Sequence, residues 1–134
     1  MPMPKKANGA NFEVSGGELT VRFDAGGVPV VYVVCIWGPK PQFGGQRPKV
    51  WCTEKLTSTT DGDTVTVPAG MAMEGAQITW SGGLIAQGES QGRLQVTLDQ
   101  EGGRNDSFSY EFSFSAKNET ETFYDGLNFV AAPG

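Results

Sequence analysis

The sequence predicts an all-β protein, an antiparallel β-sandwich of about eight to nine short strands, immunoglobulin-like or jelly-roll-like in pattern. Three observations carry that expectation. Apolar and polar residues alternate with a period of two through most readable segments, as a strand with one buried face requires. Turn signals separate these segments at Gly16-Gly17, Gly26-Gly27, Asp61-Gly62, Gly82-Gly83 and Gly102-Gly103, because glycine supplies the positive φ of tight hairpin turns. No window carries an apolar stripe at helical spacing, and Pro68 to Glu74 has room for a single helical turn at most.

Taken in order, Phe12 and Val14 start the first strand, and Leu19, Val21 and Phe23 point inward from the next, with Thr20, Arg22 and Asp24 outward. Val65 pairs in phase with Val67, and Ile78 with Trp80. Leu94, Val96 and Leu98 repeat the inward pattern. The clearest case runs from Ser107 to Ser115, where Phe108, Tyr110, Phe112 and Phe114 share one face against serines and Glu111 on the other. With 134 residues, no internal repeat and no shift in composition, the chain reads as one domain over residues 11–134 behind a flexible segment at 1–10.

One segment breaks the rule. Val28 to Trp37 is apolar in both phases, with Val30, Tyr32, Val34 and Ile36 on one side and Val31, Val33, Cys35 and Trp37 on the other. A strand apolar on both faces needs cover on both. A loop or the tail from Val130 to Gly134, the outer cap of a closed barrel, or a second subunit are the three candidate covers. In the following segment, Lys49 to Leu56, the alternation places Val50 and Cys52 inward and Lys49 and Trp51 outward. Cys35 and Cys52 are expected as buried free thiols, although a cross-strand disulfide is geometrically conceivable.

Composition excludes several function classes. The chain holds no histidine and has a formal net charge of -5. Ser-His and Cys-His nucleophile pairs and histidine-bound metals are therefore absent, and the acidic surface repels nucleic acid and anionic lipid. The carboxylate pairs Asp61 with Asp63 and Glu119 with Glu121 lie in polar, turn-like segments that would leave them solvated, so no catalytic residues are assigned. Asp61-Gly-Asp63 reads as a turn rather than a calcium loop, and no cofactor or metal is implied. The Met1 to Ala10 segment has no apolar stretch, and the apolar run at Val28 to Trp37 is about half a membrane span. A cytoplasmic protein without nucleic-acid or membrane partners is the default expectation.

The functional expectation is a non-catalytic module acting through protein contacts, self-associating through a sheet face that carries Val31, Val33, Trp37 and Trp51. The alternative is a lectin-like module that binds carbohydrate through exposed aromatics. Its candidate ligand-binding residues are Phe43, Arg47, Lys49 and Trp51, in and beside the proline- and glycine-rich loop from Gly38 to Pro48. Trp80, Tyr124 and Asn128 are further candidates, with Trp80 in phase with Ile78 and hence with the core. Lys40, Arg47, Lys49 and Lys55 crowd one region, while Asp99 to Asp125 is acidic; this asymmetry favours an oriented encounter with a partner.

Overall fold

A computed structural model of the chain describes residues 6–15, 17–26, 28–54, 56–58, 63–68, 70–86, 90–102, 105–116 and 119–131. Ten strands and no helix occur among them: β1 (Ala10–Val14), β2 (Leu19–Asp24), β3 (Val30–Trp37), β4 (Lys49–Cys52), β5 (Leu56–Ser58), β6 (Asp63–Val67), β7 (Gln77–Ile85), β8 (Ser90–Gln100), β9 (Asn105–Phe114) and β10 (Thr120–Ala131). They form a six-stranded sheet in the order β1-β10-β7-β3-β4, with β5 also on β3, and a four-stranded sheet in the order β6-β2-β8-β9. The fold is a β-sandwich, as the alternation predicts. All pairs are antiparallel except β1 with β10, which run parallel and make the larger sheet mixed. Such a pair needs a long crossover, and here most of the chain supplies it.

The two inner faces meet through aromatic pairs. Phe23 of β2 stacks on Tyr32 of β3 at 4.1 Å between ring centroids, and Trp80 of β7 on Phe108 of β9 at 5.9 Å. Leu19, Val21, Leu94, Val96, Leu98 and Trp80 are buried as their phase requires, as are Val30, Tyr32, Val34 and Ile36. Val31, Val33, Cys35 and Trp37 are half-buried on the opposite side of β3. The doubly apolar segment is therefore an inner strand of the larger sheet, flanked by β7 on one side and by β4 and β5 on the other.

Four expectations are corrected. Gly82-Gly83 is not a turn but lies in mid-β7. A Cβ on Gly82 would stand 1.8 Å from the Val31 carbonyl oxygen, so the glycine permits close approach of β7 to β3. Of the other turn signals, Gly26 and Gly102 have positive φ, while Gly16, Gly27, Asp61, Gly62 and Gly103 lie outside the described residues.

The cysteines are not free thiols: Cys35 and Cys52 form a disulfide with their Cα atoms 4.1 Å apart. They stand directly opposite each other on β3 and β4, and such narrow antiparallel pairs bring side chains closest. This pairing reverses the expected facing of β4. Cys52 follows Cys35 to the outer face, and Trp51, opposite buried Ile36, turns to the core side, where it is half-buried. The register shift between Ile36 and Trp37 leaves Lys49 opposite Trp37 and accommodates Val50 as an extra residue.

Residues 6–10, expected to be a flexible lead-in, are built into the sandwich. Ala7 is only 4% exposed. Its N–H and that of Asn8 donate to the Asp125 carboxylate, both at 2.6 Å. Asp125 lies in phase with Phe123, Leu127 and Phe129 on the inner side of β10 and is itself 4% exposed. It also accepts the Gly126 N–H at 2.9 Å and the Tyr110 O–H at 2.5 Å, and Trp80 Nε1 donates to the Tyr110 oxygen at 3.0 Å. A buried carboxylate needs such a set of donors to offset its lost hydration.

Candidate functional site

The two outer faces of the sandwich differ in charge. The four-stranded sheet presents the exposed side chains of Arg22, Arg93, Asp99 and Glu111 among threonines and glutamines. Across the larger sheet, register sets four rows side by side. They are Trp37–Gln77–Asn128, Cys35–Thr79–Gly126, Val33–Ser81–Tyr124 and Val31–Gly83–Thr122. No charged side chain occurs in these rows. Charge enters at the two edges, with Glu13 of β1 opposite Val130 and with Lys49 of β4, whose Nζ lies 5.6 Å from the centre of the Trp37 ring.

Val31, Val33 and Trp37 therefore share the outer face expected of them, and Trp51 does not. The four candidate ligand residues do not converge. Phe43 stands 97% exposed at the tip of the β3–β4 loop. Arg47 holds that loop, donating to the Gly38 carbonyl at 3.0 Å and the Gly75 carbonyl at 2.8 Å. Lys49 lies over Trp37, and Trp51 is turned to the other side of the sheet. Trp80 is buried, as its phase with Ile78 predicts.

A depression of about 210 Å³ does form on this face, lined by Asn8, Gly9, Gln77, Thr79, Tyr124, Asp125 and Gly126. Its margin is assembled from both ends of the chain. The Ala7–Gly9 turn is held by Asp125, by Gly9 N–H donating to the Gly126 carbonyl at 2.8 Å, and by Asn128 Nδ2 donating to the Gly9 carbonyl at 2.8 Å. Asn8 adopts a left-handed φ of 49° in this turn, a conformation that asparagine tolerates better than most residues. Gly126 leaves the floor bare, and a Cβ there would lie 2.6 Å from the Ile78 carbonyl. Trp37 Nε1 donates to Thr79 Oγ1 at 2.9 Å, which leaves the threonine hydroxyl proton to be donated. Tyr124 is 72% exposed beside these groups.

Tyr124 and Asn128 were legible as candidates, whereas Asn8, Gln77, Thr79 and Gly126 were not. The one available signal was Asp125: a carboxylate in phase with Phe123, Leu127 and Phe129 implies a buried network, but the two partners that build the margin, Asn8 and Ala7, lie 117 and 118 residues away.

Elsewhere the titratable groups serve the fold. The Tyr32 hydroxyl donates to Asp63, and both Tyr32 and Tyr110 are pushed well above the usual tyrosine range, first by burial and then by their carboxylate partners. Exposed Glu119 is drawn below the usual carboxylate range by the hydroxyl and N–H of Ser115. Among the described residues, no group of three or more His, Cys, Asp or Glu side chains is placed to hold a metal ion. Nor, among the described residues, is any helix long and apolar enough to cross a membrane.

No family model, curated protein or solved structure matches the chain. The functional reading therefore rests on geometry and chemistry.

Proposed function

We propose that the protein is a non-catalytic binding module that works through protein contacts on the outer face of the six-stranded sheet, with a second copy of the chain as the partner. One observation carries this reading: the four rows across β3, β7 and β10 hold no charged side chain, on a chain whose formal net charge is -5. Desolvating an unpaired charge is costly, so a charge-free face is the one most readily buried. It also lets two acidic molecules approach without placing like charges opposite each other.

Val31, Val33 and Trp37 supply the apolar part of that face. Three strands at about 4.8 Å spacing and eight residues at about 3.4 Å rise give roughly 400 Å² of sheet. That is below the ~800 Å² per partner of a standard stable interface, so association is weak and concentration-dependent. The disulfide supports an oxidising compartment over the cytosol expected from the sequence.

Sedimentation velocity from about 1 µM to about 1 mM tests the reading. Reversible dimerisation is expected at the upper end, abolished by Val31→Glu and retained by Thr66→Glu on the opposite sheet. A chain that stays monomeric throughout, or dimers indifferent to Val31→Glu, would overturn it.

A further inference from the structure

We propose that the depression beside Tyr124 binds one uncharged sugar residue, on the same sheet face as the proposed self-association surface and at the margin of its apolar row. The argument starts from the ionic groups. Among the described residues, Asp125 is the sole ionisable side chain lining the hollow apart from the phenol of Tyr124. Each of its oxygens is already saturated: Oδ2 accepts from Ala7 N–H and Tyr110 O–H, and Oδ1 from Asn8 N–H and Gly126 N–H. A phosphate or carboxylate ligand would find no cation in the lining, and an amine would find no open carboxylate. What the lining does offer is neutral and directional.

Thr79 retains a hydroxyl proton after accepting from Trp37. Gln77 spends its Nε2 on a long 3.4 Å contact with Asn128, which leaves its carbonyl oxygen for a ligand. The Asn8 side chain stands at the margin on a turn that the buried carboxylate holds in place. Amide and hydroxyl groups of this kind match vicinal hydroxyls, each of which donates and accepts.

Tyr124 supplies the other half of the recognition. Its largely exposed ring flanks the hollow, and an aromatic face takes up the C–H side of a pyranose while its hydroxyl stays wet. The volume, about 210 Å³, is below the 300–1,000 Å³ typical of drug-sized sites. It suits a single ring of a longer glycan. Preorganisation comes from the Asp125 network and from bare Gly126 rather than from closure on the ligand.

Saturation-transfer NMR tests the site with glucose, galactose, mannose and N-acetylglucosamine as methyl glycosides. N-acetylneuraminic acid, glucosamine and an uncharged tetrapeptide serve as comparison ligands. At least one neutral glycoside is expected to bind at about the millimolar level usual for a ligand of this size. Tyr124→Ala and Gln77→Ala, both on the sheet surface, should each weaken that binding about tenfold, a change of about 1.4 kcal/mol, with unchanged thermal melts. Gln95→Ala, on the opposite face, should leave it intact. Val31→Glu, which removes self-association in the preceding proposal, should still bind sugar, so the two ideas fail separately. The site is overturned if no neutral glycoside binds, if binding survives both pocket substitutions, or if the charged sugars or the peptide bind in their place.

Discussion

Replacing Asp125 by alanine removes the acceptor on which four donors converge. Ala7 N–H and Asn8 N–H lose bonds of 2.6 Å each, Gly126 N–H one of 2.9 Å, and the Tyr110 hydroxyl one of 2.5 Å. Ala7, Gly126 and Tyr110 are buried, so water cannot readily replace the carboxylate. A buried donor left unmade costs about 1–3 kcal/mol. Two or three such donors, partly relieved by relaxation of the turn, bring the expected loss to about 3–6 kcal/mol. Against the roughly 5–15 kcal/mol of a typical domain, the variant should be marginal at room temperature.

Urea denaturation measures the loss, and a double-mutant cycle isolates its cause. An N-acetylated chain beginning at Gly9 lacks the Ala7 and Asn8 donors, so Asp125→Ala should cost at least about 2 kcal/mol less in it than in the full chain. If the substitution costs under about 1 kcal/mol in the full chain, or the same in both backgrounds, the carboxylate does not act through the N-terminal turn.

The disulfide and the two buried tyrosines give two further expected outcomes. The Cys35–Cys52 link spans 17 residues, and loop-closure entropy assigns it about 3 kcal/mol. Cys35→Ala with Cys52→Ala, or reduction, should lower the urea midpoint accordingly; an unchanged midpoint would show that the turn and sheet already confine that segment. Tyr32 and Tyr110 ionise above their ordinary value of 10.0 in the folded state because they are buried and face Asp63 and Asp125. A raised folded value means that this contribution is complete below pH 10 and is lost as pH rises toward the folded values. Stability should therefore fall above about pH 10 by up to about 1.4 kcal/mol per pH unit for each tyrosine, with their tyrosinate absorbance appearing together with unfolding. Flat denaturation midpoints between about pH 10 and pH 12 would contradict the buried hydroxyl–carboxylate pairs.

The proposed self-association rests on the asymmetry of the two outer faces. Alternation on β2, β8 and β9 places Arg22, Arg93 and Glu111 on the exposed side of the smaller sheet. On β3 the same alternation has valines and a cystine on the wet side, yet these side chains are half-buried within one copy of the chain, shielded by their neighbours in the sheet. That partial shielding keeps the face compatible with a free monomer while allowing weak contacts. The depression lies at the margin of that apolar row, where Gln77, Thr79 and Asn8 replace aliphatic side chains.

Period-two alternation is set by neighbours along the chain, so the sequence by itself determined the all-β class. It also determined the inward sets of Leu19–Val21–Phe23 and Leu94–Val96–Leu98, whereas for β3, apolar in both phases, only the structure decided that Val30, Tyr32, Val34 and Ile36 face the core. The facing of Trp51 depends on which residue of β3 it meets, and one extra residue at the Ile36–Trp37 shift reverses it. Gly82-Gly83 reads locally as a turn and becomes mid-strand only because another backbone passes close to it. Two of the four partners of Asp125, Ala7 and Asn8, are likewise nearly the whole chain away. Local chemistry thus decides that a residue points in or out, whereas register and close approach between distant strands decide what it meets, and the hollow beside Tyr124 was built by those distant meetings alone.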